Sequence, residues 1–172
     1  PSSPAETRVC LCRGYADSMC LGWWIVCRSL QWFVSEHRGQ IEMEWRSYLL
    51  LPRQQKGRDL ERLRSYTLTW DRPGAEPDAG AFRTWSSDEN PPTHSVPAHQ
   101  VAKAAAKVSH DAFERMHARI MEAYFVDNRA ISSMDVLVNL WSELSLPPEA
   151  LSLAASAATK AAIVPDFEAA GE

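Results

Sequence analysis

Read as a pattern of apolar and polar positions, the chain opens with a short alternating run, Arg8-Val-Cys-Leu-Cys12, of the kind a half-buried strand shows. After Tyr15 to Cys20 the period changes. Trp23, Val26, Cys27, Leu30, Phe33 and Val34 recur at helical spacing, and His37-Arg-Gly39 supplies a helix stop. Gln40 to Arg46 alternates again, with Ile41, Met43 and Trp45 on one face. Strand, helix and strand in this order predict a βαβ unit with a parallel pair.

The remainder reads as helices. Arg53 to Trp70 is charged and then amphipathic, with Leu60, Leu63 and Tyr66 on one side. Asp71 to His94 is rich in Pro, Gly, Asp and Ser and reads as a loop anchored by Phe82 and Trp85, either a lid over Cys20 or a packed surface loop. Ser95-Val-Pro97 starts a helix with Val101, Ala104, Ala105 and Val108 on its apolar face. Ser109 caps the next, whose stripe is Phe113, Met116, Ile120 and Tyr124 and which ends at Asp127-Asn128. Ser132 with Asp135 forms a capping-box pattern, and Pro147-Pro148 opens a last Ala-rich helix to about Ala162.

Composition narrows the possibilities. The 172 residues suit one core with an insertion, and 45% hydrophobic with 23% charged residues is ordinary for a globular chain. A net charge of -4 disfavours nucleic acid as a partner. No apolar run approaches the roughly 20 residues that span a bilayer, and no signal-peptide pattern opens the chain, so a cytoplasmic location without membrane contact is expected. The four cysteines lack the regular spacing of a disulfide framework. The paired histidines His94 with His99 and His110 with His117 find no cysteine or carboxylate set to complete a zinc site. No metal is expected. The cations Arg53, Lys56, Arg58, Arg62 and Arg64, interrupted by Asp59 and Glu61, read as a solvated helix face.

Cys20 is the position that carries chemistry, because it falls where the first strand gives way to a helix. Unpaired N–H groups and the positive end of the helix dipole stabilise an anion there, which favours thiolate. Cys27, seven helical residues on, lies about 10.5 Å along the axis, beyond the roughly 7 Å limit for a bridge. Cys10 and Cys12 share one strand face about 6.6 Å apart, at the strained end of disulfide geometry. A Cys12–Cys20 pairing across the loop stays open.

The run Tyr15-Ala16-Asp17-Ser18-Met19-Cys20-Leu21-Gly22-Trp23-Trp24 resembles the active-site stretch of DsbA-like thioredoxin-fold proteins, a group that includes 2-hydroxychromene-2-carboxylate isomerases. Tyr15, Asp17, Cys20 and the aromatic Trp24 match that pattern; Trp23 stands where the second, resolving cysteine would be. The stretch from Ser47 to Pro52 resembles the family's exit from the second strand, and Ala123-Tyr124-Phe125 followed by Ile131-Ser132 and Leu137 resembles its helical insertion. The resemblance implies a mostly helical α/β fold, with a thioredoxin-like βαβ piece at residues 7–51 and a helical insertion region at 52–165 that includes the long loop 71–94. The family's cis-proline loop and following strands find no match, Ile163-Val-Pro165-Asp-Phe167 being at most an echo of that loop, so a sheet of two strands is expected.

By the same resemblance Cys20 is the nucleophile, and Asp17, Trp23, Trp24 and Pro52 bind substrate. The leading function is a single-cysteine thiol-disulfide oxidoreductase acting on glutathione or protein disulfides. It needs no cofactor beyond glutathione as co-substrate. Two other readings stand beside it: a glutathione-dependent isomerase of the 2-hydroxychromene-2-carboxylate type, and a non-catalytic remnant or interaction module whose bare sheet edge pairs with another chain, for instance in a homodimer.

Overall fold

The computed structural model describes residues 9–170 apart from 38, 57, 77 and 78. Arg8, with which the first alternating run begins, lies outside the described residues. Strand β1 (Cys10–Ala16) pairs in parallel with β2 (Ile41–Ser47), and helix α1 (Leu21–Glu36) connects them. The register sets Cys10 opposite Ile41, Cys12 opposite Met43, Gly14 opposite Trp45 and Ala16 opposite Ser47. β1 runs further than the Arg8–Cys12 alternation suggests, because cross-strand partners continue beyond it: Arg13 Nε meets Glu44 Oε2 at 2.7 Å. Gly39 takes the left-handed conformation expected after α1, with φ of 79°. These two are the only strands among the described residues, as expected.

One face of this sheet packs on α1. A Cβ at Gly14 would sit 2.8 Å from the Trp45 ring and 3.0 Å from that of Trp23, so the bare glycine is what lets the two indoles meet edge to face at 5.5 Å. The buried stripe of α1 differs from the expected one. Cys27 is buried as expected, but Val26 and Phe33 are exposed and Trp24 is buried, because α1 is clamped between the sheet and the helical region and turns Trp24 toward the latter.

That helical region comprises α2 (Leu60–Thr67), α3 (Asp71–Gly74), α4 (Val96–Val108), α5 (His110–Phe125), α6 (Met134–Glu143), α7 (Pro148–Leu151) and α8 (Ala157–Ala169). Its core is aromatic: Trp70 lies 5.1 Å from Phe125 and 5.7 Å from Tyr124, and Trp24 lies 5.6 Å from Phe125. The loop after α3 takes the packed form. Phe82 and Trp85 enter this cluster, Arg83 N–H bonds Phe125 O at 2.9 Å, and Trp85 N–H bonds Thr67 Oγ1 at 2.9 Å.

Several helix ends differ from the sequence reading. Ser109 caps α5 as expected, accepting from Ala112 N–H at 3.0 Å. Ser133, not Ser132, stands at the start of α6; Ser132 Oγ instead accepts from Thr93 N–H at 3.0 Å, which takes it out of a capping box. The last expected helix is broken. Ser152–Ala155 is a 3-10 turn, Ser156 is extended and caps α8 through Thr159 N–H at 3.1 Å. Pro165 is neither a helix stop nor the echo of a cis-proline loop, since it sits inside α8 and no peptide bond among the described residues is cis. The helix survives because Asp166, the next residue, anchors it to the sheet and to α4: it accepts from Arg46 Nη1 at 2.9 Å, Ser47 N–H at 3.0 Å and Lys103 Nζ at 2.6 Å.

Candidate active site

Cys20 occupies the N-cap position of α1. Its N–H donates to Asp17 O at 3.0 Å, its own carbonyl accepts the first helical bond from Trp24 N–H at 3.0 Å, and its side chain makes no capping bond. The thiol is half-buried and sits before the first-turn N–H groups, which have no intrahelical partner. This is the placement read from the sequence.

Asp17 shapes that turn. It is 1% exposed, and its carboxylate accepts Met19 N–H at 2.7 Å through Oδ1 and Leu50 N–H at 2.8 Å through Oδ2. One oxygen thus holds the Cys20 loop and the other ties it to the segment leaving β2. Burial alone would push the carboxyl up, but His99, Ser95 and the Met19 N–H outweigh it and hold it below the ordinary range. With both oxygens engaged inside the protein, Asp17 organises the loop.

Beyond an incomplete zinc pair with His94, the sequence assigns His99 no role. The structure brings it from α4 to within 3.7 Å of Asp17 Oδ2, where it is 5% exposed. The one hint in the sequence is its neighbours Ala98, Val101 and Ala102, which mark its side of α4 as the buried one. Ser95 completes the junction: its N–H donates to Leu51 O at 3.0 Å and its Oγ accepts from Leu51 N–H at 3.3 Å.

The other site residues separate. Trp23 packs beside Cys20 on the sheet face, against Gly14 and Trp45. Trp24 is buried in the helical core, with the Arg28 guanidinium 5.6 Å over its ring. Pro52 is exposed, two residues beyond the Leu50 that Asp17 holds. Cys27 is buried, and burial first, with the Cys20 charge second, pushes its thiol up to about 12. It is a core side chain. The open question of a Cys12–Cys20 bridge closes: all four cysteines are free, and Cys12 precedes the end of its strand by four residues, about 13 Å, with its sulfur 4.0 Å from that of Cys10.

A cleft of about 640 Å³ opens beside Met19, the residue before Cys20, with Leu51, Tyr66 and Tyr124 on its walls and Lys56 and Arg62 at its rim. Lys56 and Arg62 are exposed, as on a solvated face, and share the lining of this cleft with Asp59. Arg64 is spent on Glu61 at 2.8 Å and Asp88 at 2.7 Å, and Arg58 on Pro92 O, while Lys56 and Arg62 make no ion pair among the described residues.

No family model and no curated protein matches this chain. Solved structures do. The cytosolic disulfide reductase DsbM from Pseudomonas aeruginosa superposes with a TM-score of 0.75 at 19% identity, over 94% of this chain and 78% of that one. The same reductase with GSH gives 0.74 at 18%, over 94% and 80%. A candidate protein disulfide isomerase from Nitrosomonas europaea gives 0.77 at 15%, over 94% and 78%. The chain therefore has the DsbA-like thioredoxin fold with its helical insertion, and Cys20 stands at the start of the helix that follows the first strand of that fold.

Proposed function

We propose that the chain is a DsbA-like thiol-disulfide oxidoreductase that works through Cys20 alone, on glutathione mixed disulfides or protein disulfides. The observation that carries this reading is the Cys20 thiol at the N-cap of α1, without a side-chain partner, on a loop pinned by the buried Asp17. The fold it shares with a cytosolic disulfide reductase, one structure of which holds GSH, supports the same chemistry and a cytoplasmic location. Lys56 and Arg62 at the rim of the neighbouring cleft suit a thiol peptide that bears carboxylates.

With Trp23 in place of a second cysteine, the cycle runs through one thiol. The Cys20 thiolate attacks the glutathione sulfur of a mixed disulfide, the partner thiolate leaves and takes up a proton, and Cys20 is left glutathionylated. A second glutathione, as thiolate, then attacks the Cys20–glutathione disulfide, releases oxidised glutathione and restores Cys20. The test is turnover of a glutathionylated model peptide by the full chain, followed through oxidised glutathione. Turnover that Cys20→Ser abolishes and Cys27→Ser preserves supports the reading; no turnover, or turnover that survives Cys20→Ser, overturns it.

The two-stranded sheet, with Leu11 half exposed on β1 and Val9 half exposed just before it, favours as second reading a non-catalytic module that pairs its edge with another chain. A dimer in solution without disulfide turnover would support it, and a monomer with Cys20-dependent turnover would remove it.

A further inference from the structure

The start of β1 carries a feature that the proposed reaction leaves unused. Cys10 and Cys12 project from one face of the strand, and their sulfurs lie 4.0 Å apart without a bond between them. The parallel register sets Met43 directly opposite Cys12, on the same face of the sheet. Two thiols and a thioether are thereby gathered at the open end of the β1–β2 pair, with Cys10 exposed and Cys12 and Met43 half-buried.

The spacing is informative. A disulfide needs sulfurs about 2.05 Å apart and Cα atoms no further than about 6.8 Å, a limit that alternate residues of an extended strand only just meet. A metal bound to both sulfurs at about 2.3 Å would span about 3.8 Å at the tetrahedral angle and about 4.6 Å if the three atoms were in line. The 4.0 Å contact between the two free thiols falls between these values, so one ion can bridge them without a change of backbone. Thiolate and thioether ligands are soft and select cuprous copper among biological cations, whereas zinc wants four ligands. No group of three or more His, Cys, Asp or Glu among the described residues could complete a zinc set, but Met43, with three rotatable bonds, can complete a trigonal one.

We infer that Cys10, Cys12 and Met43 form a three-sulfur site for a monovalent soft cation, cuprous copper in particular, at the end of the sheet remote from Cys20. Binding is not a redox step. Each of the two thiols loses its proton to solvent as its bond to copper forms, and the thioether sulfur donates a lone pair.

The test is an anaerobic titration of the full reduced chain with cuprous ion held by a coloured chelator, together with sulfur counting by X-ray absorption. One ion per chain bound by three sulfurs is expected. Cys10→Ser and Cys12→Ser should each weaken binding by at least the roughly 10-fold to 100-fold that even outer-shell partners cost, and Met43→Leu should weaken it and leave two sulfurs. Cys20→Ser should leave affinity unchanged. Cys10→Ala replaces Cys10→Ser if thermal melting shows that the serine variant is unfolded. Binding that persists in the Cys10, Cys12 double variant, that is lost in Cys20→Ser, or that is indifferent to Met43→Leu would overturn the assignment, as would failure of the chain to compete with the chelator.

Discussion

Replacing Asp17 by Ala should separate the scaffold of the site from its chemistry. The substitution leaves two N–H groups, those of Met19 and Leu50, without their acceptor, each in a position the carboxylate now fills at 2.7 and 2.8 Å. An unsatisfied buried donor costs about 1–3 kcal/mol, and relief from burying the carboxylate offsets part of the sum, so a net loss of about 3 kcal/mol is expected. For a chain of this size that corresponds to a fall in Tm of about 6–12 °C. Asp17→Asn keeps one acceptor oxygen and sets an amide against the other N–H, so it should fall between the two. The native Asp17 carboxyl is held below its ordinary range, so its stabilisation is present above the unfolded pKa and is lost as pH falls through the lower folded value. Urea unfolding of wild type and both variants at neutral and acid pH, with alkylation of Cys20 followed in parallel, measures both effects. A loss under about 0.5 kcal/mol, the size of an ordinary surface change, would refute the claim that Asp17 holds the two loops together.

Three further outcomes follow from the same geometry. In the folded protein, Cys20 should react with iodoacetamide while Cys27, buried and with its thiol pushed up to about 12, should react only on unfolding, as peptide mass mapping would show. His117 is stacked between Trp45 and Phe113 and burial, with a lesser contribution from His99, lowers it to about 4, so the unfolded chain binds its proton first and stability should drop by roughly 3 kcal/mol as pH falls from 6.5 through 4; His117→Phe should flatten that part of the curve. Ser109→Ala removes the cap of α5 and should cost about 1 kcal/mol in urea unfolding.

The order of elements was legible in the sequence because period alone separates strands from helices: Ile41, Met43 and Trp45 cannot share a face except in a strand. Cys20 was legible for the same reason, as the residue at which one period gives way to the other. What the sequence did not show depends on partners distant along the chain. Trp24 and Trp23 are adjacent, yet one enters the helical core and the other lies on the sheet, a division set by Phe125 and Trp45. Asp17 looks like any polar residue before an active-site cysteine until Leu50 and His99 close on it from two other elements. Pro165 misleads because the local rule that proline ends a helix is overridden by three tertiary bonds to Asp166.

The central claim is that Cys20 is the thiol that attacks. It is tested most directly by mixing the reduced chain with a glutathionylated peptide, quenching with acid within the first turnover, and mapping the glutathione adduct by peptide mass. A mixed disulfide on Cys20, formed at the rate at which the peptide thiol is released and missing in Cys20→Ser, is the expected result. Adducts confined to Cys10 or Cys12, or peptide release that proceeds without any adduct on Cys20, would contradict it.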